Sequence, residues 1–285
     1  MKIAVLSGKG GTGKTLLSVN LAAAADNSVY IDCDVEEPNG HLYFKPDDVI
    51  TEKVSVWIPF AEEKKCIGCR KCVDFCKFNA LAYIKSSLLV FEEICHSCGG
   101  CVLFCPQGAL SERKKIIGEI KHGKSQNTTV ITGILNPGEA SGIPVISTLL
   151  DNGPHDNQVV MIDCPPGSSC SVMESIKDAD YCLLVVEPTI FGVHNLEMVY
   201  ELVKLFGKPT GAVLNKCLTQ TNPAEEFCSE SGIKVLSRIP FDQDLGLLSS
   251  NAIIAVREAP RYRELFTELL NLIEQEVQHE AAANS

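Results

Sequence analysis

The sequence predicts an α/β fold: a doubly wound, mostly parallel sheet with a small α+β module inserted into it. Three observations carry this. A short apolar run at residues 3–6 breaks into a glycine-rich turn and then into an apolar helical pattern from Leu16, which is the strand–loop–helix order of a phosphate-binding unit. Further apolar runs at 29–31, 129–135, 158–163, 181–186 and 210–214 alternate with helical patterns, as in a sheet covered on both faces. Eight of the fourteen cysteines lie between 66 and 105 with a repeated spacing, inside the α/β pattern.

The bulk properties bound the rest. A chain of 285 residues can bury a full-sized core and still carry an extra module. The net charge of −11 disfavours a nucleic-acid partner, because such binding rests on Lys/Arg contacts to phosphates. No apolar run approaches the roughly 20 residues of a membrane span. The N-terminus reads as a core strand and not as a secretory signal, so a cytoplasmic location is expected. In that compartment, cysteines point to metal or redox chemistry rather than disulfides.

The first unit is the most specific. Gly8-x4-Gly13-Lys14-Thr15 is a complete phosphate loop. Gly8, Gly10, Gly11 and Gly13, with Thr12 between them, let successive backbone N–H groups converge on anionic oxygens with little side-chain obstruction. Lys14 is expected to reach the β- and γ-phosphates, and the Thr15 hydroxyl to sit on Mg²⁺. Residues 16–25 follow as a Leu- and Ala-rich helix. The strand at 29–31 ends in Asp32-Cys33-Asp34, where carboxylates at the C-terminal end of a parallel strand would meet Mg²⁺ and water.

Residues 54–58 are compatible with a strand. Then come Cys66-x2-Cys69-x2-Cys72-x3-Cys76 and Cys95-x2-Cys98-x2-Cys101-x3-Cys105-Pro106. Each run resembles the bacterial ferredoxin pattern, in which three close thiolates hold one cubane and the fourth cysteine ligates the other. The pattern predicts one [4Fe–4S] cluster on Cys66, Cys69, Cys72 and Cys105, and a second on Cys95, Cys98, Cys101 and Cys76. The trailing segments 77–81 and 106–110 also repeat, except that Lys77 stands where proline is usual. Zinc suits the pattern poorly, because it pairs two Cys-x2-Cys elements in one tetrahedron.

Residues 111–123 read as a charged segment returning to the main body. A strand at 129–135, a turn-rich loop at 136–142 and a helix at 143–150 follow. The apolar strand at 158–163 ends in Asp163-Cys-Pro-Pro-Gly167. After the strand at 181–186, residues 192–206 form an amphipathic helix, and the strand at 210–214 runs into Asn215-Lys216. Leu218 stands where guanine selection needs an aspartate, whereas Asn215 can pair with adenine. The helix at 261–277 carries an apolar face and acidic residues, which makes it a core-packing helix and not a membrane anchor. The tail at 281–285 is expected to be disordered. The cysteines at 33, 164, 182, 217 and 228 lack ligand spacing, and packing is their default role; Cys170, seven residues beyond Asp163, is expected to be a small buried residue near that strand end, with a metal-ligand or redox contact as the alternative.

Lys9, directly after the first glycine, makes Gly8-Lys-Gly-Gly-Thr-Gly-Lys-Thr15 similar to the deviant Walker A loop of the MinD/ParA/nitrogenase iron-protein class of ATPases. The resemblance covers nearly the whole chain. It implies a nucleotide-dependent homodimer in which Lys9 reaches the partner's nucleotide. It implies that Asp34 positions or deprotonates the attacking water, that Asn39 is a switch asparagine, that Asp163 holds Mg²⁺ through water and that the Gly167 N–H senses the γ-phosphate. Pro240-Phe241-Asp242 resembles the family's adenine loop, so ATP/ADP with Mg²⁺ is the expected ligand. The expected domains are a P-loop ATPase at 1–60 and 113–285 and a ferredoxin module at 61–112. The expected activity is ATP hydrolysis coupled to electron transfer, with a redox or iron–sulfur protein as partner and neither nucleic acid nor membrane. An Mrp-type cluster carrier is a rival, although no Cys-x2-Cys follows Cys105. A MinD-like spatial regulator with structural clusters is another, although the final helix is acidic.

Overall fold

The structure is a computed structural model and describes residues 1–151, 158–218 and 222–283. In chain order the elements are β1 (Lys2–Leu6), α1 (Lys14–Ala24), β2 (Ser28–Asp32), α2 (Gly40–Phe44), β3 (Asp47–Ala61), α3 (Lys71–Phe75), β4 (Leu81–Ile84), β5 (Ser87–Val90), α4 (Gly100–Leu103), β6 (Leu110–Ser125), β7 (Thr128–Leu135) and α5 (Ile143–Asp151). They continue as β8 (Val159–Asp163), α6 (Cys170–Ile176), β9 (Tyr181–Val186), α7 (Ile190–Leu205), β10 (Thr210–Cys217), α8 (Pro223–Glu230), β11 (Lys234–Pro240), α9 (Gln243–Ser250), α10 (Ala255–Glu258) and α11 (Pro260–Ala283).

Among the described residues one large sheet has the order β11-β10-β9-β1-β8-β2-β7-β6-β3. Its strands from β11 to β7 are parallel, and β6 and β3 join antiparallel. Alternate residues of β1 serve opposite layers. Ala4 and Leu6 pack under α5, α6, α7 and α8, while Ile3 and Val5 pack under α1, α10 and α11. Burial on both faces explains the continuous apolar runs of the central strands.

Two expectations are corrected here. The 54–58 strand is the middle of a much longer strand, and the charged return at 111–123 is itself strand β6. The two pair from Asp47↔Lys124 to Ala61↔Leu110. Most of β3 is exposed, so this ribbon lacks the apolar alternation by which strands are recognised; its ladder and cross-strand pairs such as Lys53–Glu119 (2.5 Å) hold it. A charged edge strand also resists pairing with other chains. The final helix extends to Ala283, past the expected end at 277, so residues 281–283 of the tail expected to be disordered are helical instead, while residues 284–285 lie outside the described residues.

The chain between Ala61 and Leu110 forms the far end of the ribbon. It contains α3, the β4–β5 hairpin and α4, and it has a small core of its own built on Cys72, Leu81, Leu88, Cys101 and Leu110.

Candidate functional site

The phosphate loop lies at the C-terminal edge of β1, where parallel strands deliver their ends to one side of the sheet. A cavity of about 660 Å³ opens there, lined by the loop, by Asp34 and Asn39 from the end of β2, and by Pro240, Phe241 and Asp242 from the end of β11. Gly11 and Gly13 are left-handed (φ 79° and 98°), and Gly10 and Gly11 face open space. Gly8 is required for a different reason: a Cβ there would stand 2.2 Å from the Asn195 carbonyl oxygen of α7. The Thr12 hydroxyl is buried without a hydrogen-bond partner. An orphaned donor in a glycine cradle suits an anionic ligand.

Beneath the loop, Lys14 and Asp163 are almost fully buried, with Lys14 Nζ 2.5 Å from Asp163 Oδ1. Ser18 Oγ donates to the same oxygen at 3.2 Å, and the Tyr30 hydroxyl donates to Oδ2 at 2.7 Å. Burial pushes the Lys14 ammonium down, but Asp163, Asp32 and Asp34 outweigh it and hold the group above its ordinary value. Asp32 accepts from the backbone N–H groups of Asp34, Asn39 and Gly40 at 3.2, 3.1 and 2.9 Å, and so shapes the loop that carries Asp34. Burial and the neighbouring Asp163 charge raise Asp32 to about 7. Asp34 is raised to about 6, chiefly by burial, with Lys14 opposing.

The remaining predicted residues are placed as follows. Thr15 lines the cavity at the start of α1. Lys9 is turned onto its own chain, 2.8 Å from Glu187, which Lys216 also meets at 2.6 Å. These two lysines hold Glu187 below the usual carboxylate range against the opposing effect of burial. The Gly167 N–H donates to the Ser7 carbonyl at 2.9 Å. Asn215 is buried, with Nδ2 donating to Thr12 O at 2.7 Å and Oδ1 accepting from Lys216 N at 3.0 Å. In this state its carboxamide supports the loop and is not offered to a base. Asp242 caps α9 by accepting from Asp244 N and Leu245 N, which leaves Pro240 and Phe241 on the cavity rim. The sequence reading missed Tyr30, Ser18 and Glu187, and it placed Asp32 at the strand end without its role of holding the following loop. A carboxylate closing a buried parallel strand was the available signal for Asp32 and Glu187; Tyr30 and Ser18 had none.

The eight predicted ligand cysteines form two sets. Cys66, Cys69, Cys72 and Cys105 line one cavity, and Cys76, Cys95, Cys98 and Cys101 line another. The trailing cysteines accept matching bonds, Ala80 N to Cys76 Sγ at 3.4 Å and Ala109 N to Cys105 Sγ at 3.2 Å. Burial raises Cys105, but the N–H groups of Gln107, Ala109, Leu110 and Gly108 outweigh it and hold the thiol below its ordinary value. Burial pushes Cys101 up to about 11. Among the described residues no three His, Cys, Asp or Glu side chains converge as ligands of a single metal ion. A cubane makes a different demand, four thiolates around a cavity, each on its own iron. Cys170 is exposed at the start of α6 and not buried as expected, while Cys33, Cys164, Cys182 and Cys228 are buried. No described helix is long and apolar enough to cross a membrane.

The CobQ/CobB/MinD/ParA nucleotide binding domain model matches residues 3–253. Among known proteins the chain is similar to MJ0578 of Methanocaldococcus jannaschii, described as uncharacterized, at 33% identity over 273 residues, 94% of this chain and 95% of that protein. Among solved structures it resembles the cell division ATPase MinD of Pyrococcus furiosus, with TM-score 0.60 at 19% identity over 96% of this chain and 98% of that one. The septum site-determining protein MinD of Pyrococcus horikoshii, solved with Mg-ADP, gives TM-score 0.59 at 18% identity over 95% of each chain. At such identities the structural likeness concerns the fold.

Proposed function

We propose that this chain, which belongs to the CobQ/CobB/MinD/ParA nucleotide-binding family, binds and hydrolyses ATP as a dimer and couples its nucleotide state to two iron–sulfur clusters. The observation that carries the redox half is the crossed cysteine arrangement, in which Cys105 joins the first triad and Cys76 the second. When bound there, two [4Fe–4S] clusters would each accept and release one electron. The small size of the cysteine segment supports this reading. Its core consists of a few residues, two of them cysteines, and units of about fifty residues or fewer commonly need metals or disulfides to hold together.

On the nucleotide side the chain's own groups exchange partners. Lys14 would leave Asp163 for the phosphate oxygens, and Asp163 and Thr15 would then be the residues to hold Mg²⁺, which would neutralise phosphate charge. The Gly167 N–H leaves the Ser7 carbonyl for the γ-phosphate. Asp34, raised to about 6, is ionised at neutral pH yet basic enough to orient and deprotonate water. Lys9 leaves Glu187 when a second copy presents its nucleotide.

Two routes join this site to the cysteine segment. α2 begins directly after Asn39 and leads into β3. The Val35 carbonyl accepts from Leu135 N at 2.8 Å, and the following loop carries Glu139, which meets Lys115 at 2.8 Å. Lys115 also donates to the Glu92 carbonyl at 3.2 Å, in the turn that precedes Cys95. Both routes start in the loop that follows β2, so the segment carrying Asp34 and Asn39 has a mechanical connection to the ribbon.

Anaerobically purified protein should contain about eight irons per chain and give an EPR signal on reduction. Lys14→Met should abolish hydrolysis without changing the iron content. Cluster reoxidation by a viologen dye should change rate between ADP and ATP; equal rates would refute the coupling, and absence of iron would refute the clusters.

A further inference from the structure

The two halves of the cysteine segment provide a comparison within one chain. Aligned on their cysteines, they agree in backbone and differ in charge. Where the first half has Lys64, Arg70, Lys71 and Lys77, the second has Glu93, Gly99, Gly100 and Pro106. No Lys or Arg occurs from 86 to 112. The cations are therefore not required by the loop that presents the thiols, since the second loop is built without them.

Arg70 makes the point most sharply. It occupies the left-handed region at φ 59°, and its counterpart Gly99 sits at φ 70°. The backbone asks for glycine at this place, and an L-residue there is strained by about 1 kcal/mol or more. The converse exchange, Gly68 (φ 69°) against Ser97 (φ 54°), shows that both halves accept an L-residue in this region, so what sets Arg70 apart is its charge and its place on the cavity. Arg70 lines the cavity of Cys66, Cys69, Cys72 and Cys105, and its guanidinium lies 5.9 Å from the Tyr83 ring centroid. Among the described residues no carboxylate lies within 4.0 Å of Lys64, Arg70 or Lys71, and all three are exposed. Ile67, between them, is 65% exposed.

The orientation of the module agrees. The second loop faces the body: Cys95, His96 and Ser97 line a cavity with Lys115 and Glu139. The first loop shares no such cavity: the one it lines is built from residues 66–110 alone, while Cys69 and its counterpart Cys98 are both exposed.

We propose that Lys64, Arg70 and Lys71 form a cationic collar, centred on Ile67, that docks an acidic electron-carrier protein at the first cysteine set. The partner's chemistry follows from complementarity: a patch of carboxylates around a redox centre matches an exposed apolar residue flanked along the chain by three exposed cations. A nucleic acid fits less well, because the rest of a chain of net charge −11 would repel a polyanion. The role of the docked protein rests on the iron–sulfur reading; the docking itself does not.

The probe is a purified plant-type [2Fe–2S] ferredoxin, an acidic one-electron carrier, bound to the anaerobically purified full chain. Its affinity should fall steeply between about 20 and about 200 mM salt. The triple variant Lys64→Glu/Arg70→Gly/Lys71→Gly, which copies the second half, should bind it at least about tenfold more weakly with unchanged iron content. Lys204→Glu on α7 should leave binding unaltered. The proposal is overturned if the parent does not bind the carrier, if the triple variant binds as the parent does, if Lys204→Glu costs as much, or if duplex DNA binds at least as tightly. Salt-sensitive, collar-dependent binding by a protein that holds no iron would retain the docking surface and remove the cluster reading.

Discussion

Asp163 receives three donors, Lys14, Ser18 and Tyr30, and this crowding decides how the site rests without nucleotide. Tyr30 is fully buried, and burial together with the Asp163 charge holds its hydroxyl well above the ordinary value, so it remains a donor at every working pH. Tyr30→Phe should cost about 1–2 kcal/mol, a hydrogen bond to a charged acceptor, read as a lowered midpoint in urea. Its nucleotide affinity should fall, because an Asp163 carboxylate that has lost one donor holds Lys14 more tightly; an unchanged Kd would count against this. Asp34 determines a pH dependence. Its carboxyl is raised to about 6, so in the proposed role of base it would be protonated and inactive below that value. Hydrolysis should therefore increase with pH through about 6 and level off above it. Asp34→Asn should lower the rate by about 10²-fold or more and remove the inflection, as a pH–rate profile would show.

At the scale of elements, the ribbon is the part that behaves least like the rest of the sheet. It carries the cysteine segment at one end and is tied to the body by the Lys115–Glu139 pair, whose side chains are 16% and 12% exposed. Such a half-buried pair is worth more than a surface one, and removing one partner strands the other. Lys115→Met should cost about 1–3 kcal/mol. It should also raise amide exchange in residues 92–98, measured by mass spectrometry, while α1 and β8 stay protected. Equal loss of protection across the sheet would show that the pair supports the whole fold and not the junction.

For the whole molecule, the register Ala61↔Leu110 makes the cysteine segment separable in principle. Joining Ala61 to Leu110 through Asn-Gly, the sequence favoured in two-residue hairpin turns, should leave a body that folds and binds ATP. Circular dichroism and nucleotide titration would check this, and the spliced protein should hold no iron. A chain that aggregates or loses nucleotide binding would show that the body depends on the segment. The two large cores lie on the faces of the sheet and the third lies beyond the ribbon's end, which is why separation is expected.

The central sheet was legible because burial on both faces imposes apolar runs, and the phosphate loop because its chemistry admits few residues at Gly8, Gly13, Lys14 and Thr15. The ribbon was not, because β3 is mostly exposed and its stability comes from a partner more than fifty residues away. The sequence by itself determined the family's nucleotide loop, the doubly wound order and the repeated cysteine spacing, all of them local patterns. Only the tertiary structure decided that Lys9 rests on Glu187, that Asn215 braces the loop, that Asp32 organises the Asp34 turn, and that one cysteine loop shares a cavity with the body while the other does not. Those are contacts between segments distant in the chain, and no local pattern encodes which of several polar groups will be the nearest partner.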